Sequence, residues 1–151
     1  MRKAIASFLA LLIGVALLNL SSTDSKDEAA IKAAVADYVE GIYLVQPERI
    51  DRSVDVTLRK YGYWRPDDKK EYTAGREMNF KQLRDLAATW NKNGRVDPKT
   101  EIKEISILDK YDQTASAKLV AYWGIDYFHL AKEDGQWKII NVIWQSHPPK
   151  E

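Results

Sequence analysis

The run Asp126-Tyr127-Phe128-His129-Leu130-Ala131-Lys132-Glu133-Asp134-Gly135-Gln136-Trp137-Lys138-Ile139-Ile140-Asn141-Val142-Ile143-Trp144 decides the fold class. Asp134-Gly135 has the composition of a two-residue hairpin turn, because both residue types tolerate positive φ. Tyr127 and Phe128 precede the turn, and Trp137, Ile139, Ile140, Val142, Ile143 and Trp144 follow it, so two long antiparallel strands are predicted. With Asp134 and Gly135 at the centre of the turn, Leu130 faces Ile139, His129 faces Ile140, Tyr127 faces Val142 and Ile125 faces Trp144. Side chains alternate along a strand, which places Ile125, Tyr127, His129, Ile140, Val142 and Trp144 on one face. Asp126, Phe128, Leu130, Ile139, Asn141 and Ile143 then share the other.

Upstream, Asp112-Gln113 is a second candidate turn, so Thr100 to Ser146 reads as three consecutive antiparallel strands. The same parity pairs Leu108 with Ala117, Ser106 with Leu119, Glu104 with Ala121 and Ile102 with Trp123. Without a bulge near Gly124, Ala117, Leu119, Ala121 and Trp123 continue the His129 face. Small residues beside aromatics suit a concave side covered by a helix, and that side is expected to hold any pocket. Ile105, Ile107, Val120, Tyr122 and Phe128 are then expected on the outer face, an apolar patch suited to a two-fold dimer.

Before the sheet the apolar period is helical. Ser25 and Glu28 have capping-box spacing, and Ile31, Val35, Tyr38, Val39 and Ile42 form one face. Pro47 ends that helix and opens a short second one carrying Ile50 and Val54. Thr57 to Trp64 is β-rich, Pro66-Asp67-Asp68 marks a turn before Glu71-Tyr72-Thr73, and a third helix starts near Asn79 with Gln82 three residues on. Phe80, Leu83, Ala87 and Trp90 lie on its apolar side, and Gly94 suits its end. Helices segregated from a meandering sheet define an α+β domain.

The first residues read MRK, then an apolar run from Ala4 to Leu20, then a polar exit, which is the layout of an export signal. The expected organisation is a signal at 1–24, with cleavage between Ala16 and Ser25, a domain at 25–147 and a tail at 148–151. The protein is therefore expected to be exported, periplasmic or secreted; an uncleaved N-terminal anchor is the alternative. The formal net charge of +1 supplies no field toward nucleic acid, and no membrane association is expected once the signal is removed. The absence of cysteine excludes disulfides, thiolate catalysis and cysteine-ligated metal. Two histidines 18 residues apart make a poor first shell, so neither metal nor cofactor is expected.

The Asp126–Leu130 strand and the Gly135–Trp144 strand together resemble the C-terminal signature of the putative lumazine-binding family. Ala36-Asp37-Tyr38-Val39-Glu40-Gly41-Ile42-Tyr43, with Pro47-Glu48-Arg49-Ile50 after it, is similar to that family's first-helix motif. The resemblance covers about residues 27–146. It implies the cone-shaped α+β fold of the nuclear-transport-factor-like superfamily, which also holds SnoaL-like cyclases and ketosteroid isomerases. A strongly bent mixed sheet would wrap around the helices, with a pocket at the open end.

Within that frame the candidate ligand-binding residues are Tyr38, Trp123, Tyr127, His129 and Trp144. The aromatics would wall a pocket for a small apolar or aromatic ligand, and His129 would give the polar contact. Trp64 belongs to the same aromatic set. Each aromatic read alone fits a core position better than a pocket wall, and His129 read alone fits a core histidine bonded to a neighbour. Asp126 is the nearest carboxylate to His129 in sequence, but three positions along a regular strand put the two on opposite faces. Glu104 is the one strand carboxylate expected inside, near the cone edge; Asp37 is expected to be a solvated charge. The leading expectation is non-catalytic binding by a homodimer. An isomerase, dehydratase or cyclase with His129 as general base is one alternative, and a solidly packed interaction module is another.

Overall fold

The computed structural model describes residues 24–149. The predicted export segment lies outside them except for Asp24, which is already helical. Among the described residues helix α1 covers 24–43, so Ser25, expected at its start, sits within it. Ile31, Val35, Tyr38, Val39 and Ile42 form its buried stripe, each at most 2% exposed. The chain then turns through Val45, whose φ is 58°, and Pro47 opens α2 (Pro47–Ser53) at a position where its missing N–H costs nothing. Ile50 is buried on α2, whereas Val54 falls into the first strand.

The strands are β1 (Val54–Tyr63), β2 (Arg76–Asn79), β3 (Lys103–Lys110), β4 (Thr114–Ala121), β5 (Gly124–Glu133) and β6 (Gln136–Gln145). The second strand thus begins after the expected Glu71–Thr73 stretch. Helix α3 (Phe80–Ala87) follows β2, and Asn79 and Gln82 close a reciprocal capping box at its start. The six strands form one sheet ordered β2-β1-β6-β5-β4-β3, antiparallel throughout except for β1 beside β6. This is an α+β fold with a curled, unclosed sheet around the helices. The buried stripe of α1, with Ala34 and Tyr43, shares one core with Leu58, Leu83, Leu119, Phe128, Ile139 and Val142.

Three local features change the expected faces. First, the segment read as one strand from residue 114 to 133 is broken at Tyr122-Trp123, and β4 folds back on β5 there, pairing Ala121 with Gly124. Gly124 has φ 145°, and a Cβ on it would lie 2.0 Å from the Gln145 carbonyl oxygen, so only glycine fits. Second, in the β5–β6 hairpin Leu130 pairs with Ile139 as predicted, but His129 pairs with Asn141. Ile140 is an extra residue, a bulge that shifts every later partner by one. Third, Leu108 is the extra residue between β3 and β4, so Ile107 faces Ala117 and Ile105 faces Leu119.

The corrected concave face carries Ile105, Ile107, Ala117, Leu119, Asp126, Phe128, Leu130, Ile139, Val142 and Trp144. Ile105, Ile107 and Phe128, expected outside, are therefore inside. Tyr127 and His129, expected inside, point outward and are exposed, while Glu104 is also exposed.

Candidate functional site

From Leu58 onward along β1, residues at even positions point inward: Leu58, Lys60 and Gly62 are buried, while Arg59 and Tyr63 are exposed. Two consecutive cations on a strand with one covered face oblige one of them to go inside. Lys60 takes that place at 4% exposure, and Asp126, at 0%, meets it from β5. The Lys60 ammonium donates to Asp126 Oδ1 at 2.8 Å and to Tyr38 Oη at 2.5 Å. Its charge also lies 5.1 Å from the centre of the Trp144 ring. The other carboxylate oxygen, Oδ2, accepts from Trp123 Nε1 at 2.5 Å. Tyr38 completes the group by donating to Asp126 Oδ1 at 3.4 Å. A charged pair survives in so dry a place only when its remaining polar atoms find partners, and here they do.

Above this polar floor lies an apolar chamber of about 170 Å³ lined by Ile42, Lys60, Met78, Leu86, Trp90, Trp123 and Trp144. Trp90, Trp123 and Trp144 also line a wider opening of about 600 Å³ with Trp64, Arg65, Asp67, Arg95, Tyr122, Ser146 and His147. The three indoles are thus the neck between an apolar chamber and a polar mouth.

Local structure holds each indole. Trp144 lies over β1 because its strand partner is Gly62; a Cβ there would meet the indole at 2.1 Å. Trp90 follows α3, its N–H bonded to the Leu86 carbonyl, and the next residue, Asn91, is buried. Asn91 donates to the Tyr43 and Val96 carbonyls and accepts from the Val96 N–H. Trp123 occupies the β4–β5 turn, edge-on to Tyr38, Tyr43 and Trp90. Tyr43 fixes that turn: its hydroxyl accepts from the Tyr122 N–H at 2.8 Å and donates to the Ile102 carbonyl at 3.0 Å.

Burial pushes the Tyr38 phenol well above its ordinary range, and the neighbouring Asp126 charge adds to the effect. Burial likewise raises Tyr43 to about 12. Both phenols remain neutral at physiological pH, so Tyr38 keeps the proton it offers to Asp126. Among the described residues no cluster of three or more His, Asp or Glu side chains could hold a metal.

Of the predicted set, Trp123 and Trp144 line the chamber, and Tyr38 lies beneath it as part of the floor. Tyr127 and His129 do not join them. Tyr127 is 43% exposed on the convex face. His129 lies there too, on a shallow outer hollow with Ser116 and Asp109. The lone residue Ile140 in the bulge separates His129 from Trp144 in parity, so no general base at position 129 can reach the chamber. Asp37 is not a free solvated charge: Arg49 and Arg52 both hold it. Sequence reasoning missed Lys60, Trp90 and the inward turn of Asp126. The signal for the first was the Arg59-Lys60 doublet inside an alternating strand.

The chain matches the family described as putative lumazine-binding over residues 26–145 and belongs to it. Solved structures share the fold. An NTF2-like protein of unknown function from Silicibacter pomeroyi is 14% identical over 82% of this chain and 98% of that one, with a TM-score of 0.62. One from Shewanella baltica, also of unknown function, is 20% identical over 82% and 96%, with a TM-score of 0.62. A putative scytalone dehydratase from Novosphingobium aromaticivorans is 13% identical over 83% and 87%, with a TM-score of 0.52. No curated protein is significantly similar to the chain.

Proposed function

We propose that this protein is an exported binder of a small planar, apolar or aromatic molecule, held without chemical change between Trp90, Trp123 and Trp144. One observation carries the reading: an apolar chamber under three indoles whose polar floor is engaged from within. An engineered apolar cavity of about 150 Å³ takes up benzene, so the chamber has room for one ring. A larger ligand would extend through the neck into the mouth.

A protein purified from its source should retain a small molecule in native mass spectrometry, and Trp144→Ala should release it. A bare mass from both proteins would remove the proposal. The same experiment bears on the other readings. The N-terminal mass reports whether residues 1–24 are cut off, as export requires, or kept as an anchor. The oligomer mass reports whether the convex face, with Tyr127 at 43% and Ile143 at 47% exposure on neighbouring strands, joins two copies.

An isomerase or dehydratase reading centres on Asp126, not on His129, because Asp126 is the buried carboxylate beside the chamber. It is the weaker reading, since both carboxylate oxygens are engaged by donors and neither is free to take a substrate proton. Turnover of an added substrate that disappears in Asp126→Asn, with the fold intact, would promote it.

A further inference from the structure

We propose that the mouth of the cavity is an oxyanion subsite, so that the ligand is a planar aromatic acid seated ring first. The inference rests on the binding reading above and adds the ligand's charge and direction. The chamber offers little to a polar group: two of the three Lys60 ammonium hydrogens go to Asp126 and Tyr38, its charge lies 5.1 Å from the centre of the Trp144 ring, and Asp126, Tyr38 and the Trp123 N–H are committed to one another. A ligand's polar end therefore gains more partners by facing outward.

The group it meets there is Arg65. This half-buried guanidinium is held by backbone oxygens alone: Nη1 donates to the Pro66 and Lys69 carbonyls at 3.2 and 2.7 Å, and Nη2 to the His147 carbonyl at 3.0 Å. Carbonyls fix the group without neutralising it, and it has no carboxylate partner among the described residues. Its Nε is moreover the buried side-chain nitrogen with no acceptor at all. An uncompensated, half-buried cation is costly, and an oxyanion at the mouth supplies the missing counter-charge and an acceptor for the second Nη2 hydrogen.

Arg95 adds a second positive charge at the same mouth. It stacks 5.1 Å from the centre of the Trp90 ring and has neither hydrogen-bond nor ion-pair partner among the described residues. The opposing charge is Asp67, exposed at the mouth, so two guanidiniums outweigh one carboxylate there. His147 is turned away from this task by the bond between its Nε2 and the Ala121 carbonyl at 2.8 Å. Arginine suits the role because its planar fork matches a carboxylate and stacks on aromatic walls at the same time.

The test titrates the full folded domain with cinnamate and with cinnamyl alcohol, which share ring and reach and differ in charge, using calorimetry at low salt. Cinnamate should bind about tenfold more tightly. Arg95→Gln, at an exposed position without polar partners, should reduce that preference severalfold; Arg65→Gln should abolish it while alcohol binding persists. Arg65→Lys, which keeps charge and loses the fork, should fall between the two. Equal affinity of the wild type for both probes overturns the subsite and leaves the binding reading standing. Binding of neither probe overturns both.

Discussion

Asp126 and His129 stand three residues apart on one strand and live in opposite worlds. Asp126 is sealed beneath α1 with a lysine, a tyrosine and a tryptophan for partners; His129 looks out from the convex side among Ser116, Asp109 and Ile140. The strand's alternation separates them, and the turn and bulges on neighbouring strands decide which side is the hollow. Residue chemistry alone is therefore a poor guide to a site. The histidine, the more reactive type near neutral pH, lies on the outer surface, while the unremarked lysine of β1 reaches the floor.

The sharpest way to break that contrast is to remove the buried acid. Asp126→Ala strands the Lys60 ammonium and should cost about 3–5 kcal/mol in urea unfolding, whereas Lys60→Met with Asp126→Leu should recover most of the loss. A single variant no less stable than the double would mean that the pair is not sealed. Next comes Gly62→Ala, which pushes Trp144 off β1; overpacking of this kind costs about 1–3 kcal/mol, and indole fluorescence should shift as the neck opens.

The sealed side should also resist alkali until late. Tyr43 is raised to about 12 against an ordinary value of 10.0. Its contribution is intact below pH 10, and stability should then fall as the pH climbs toward 12, because the unfolded chain ionises first. The slope of stability against pH in that window should be shallower in Tyr43→Phe. In acid the sign reverses for Asp27, which Lys132 and Trp137 hold below the usual carboxylate range. Its contribution should be present above about pH 4 and fade as the pH drops, so Asp27→Asn should flatten the acid limb. Smallest of all, His129→Ala should change stability by less than about 0.5 kcal/mol and leave ligand retention untouched. A large loss there would mean that the imidazole does more than face solvent.

Much of the architecture was legible because it depends on composition and period. The α1 stripe, Pro47, the Asn79–Gln82 box and the Asp134-Gly135 turn, with φ of 50° and 76°, all come from local rules. The inward face was not legible, for a physical reason. Parity is inherited along a meander, so the reversal at Tyr122-Trp123 and two extra residues, Leu108 and Ile140, each invert the facing of the strand beyond them. Bulges have no strong composition of their own. Gly124 was the visible mark of the first break, and the Arg59-Lys60 doublet was the mark of a buried cation.

The placement of β6 has a consequence for how the molecule comes to exist. It lies between β1 and β5, joining the β2-β1 pair to the β3–β5 meander, and its parallel edge brings residue 54 beside residue 139. Until synthesis has passed residue 145 those two halves have no seam between them, and each presents an open flank. Contacts so distant in sequence close slowly. The strand β6 is thus the single stitch that closes the cone, and a chain lacking it would leave β1 and β5 with unpaired edges.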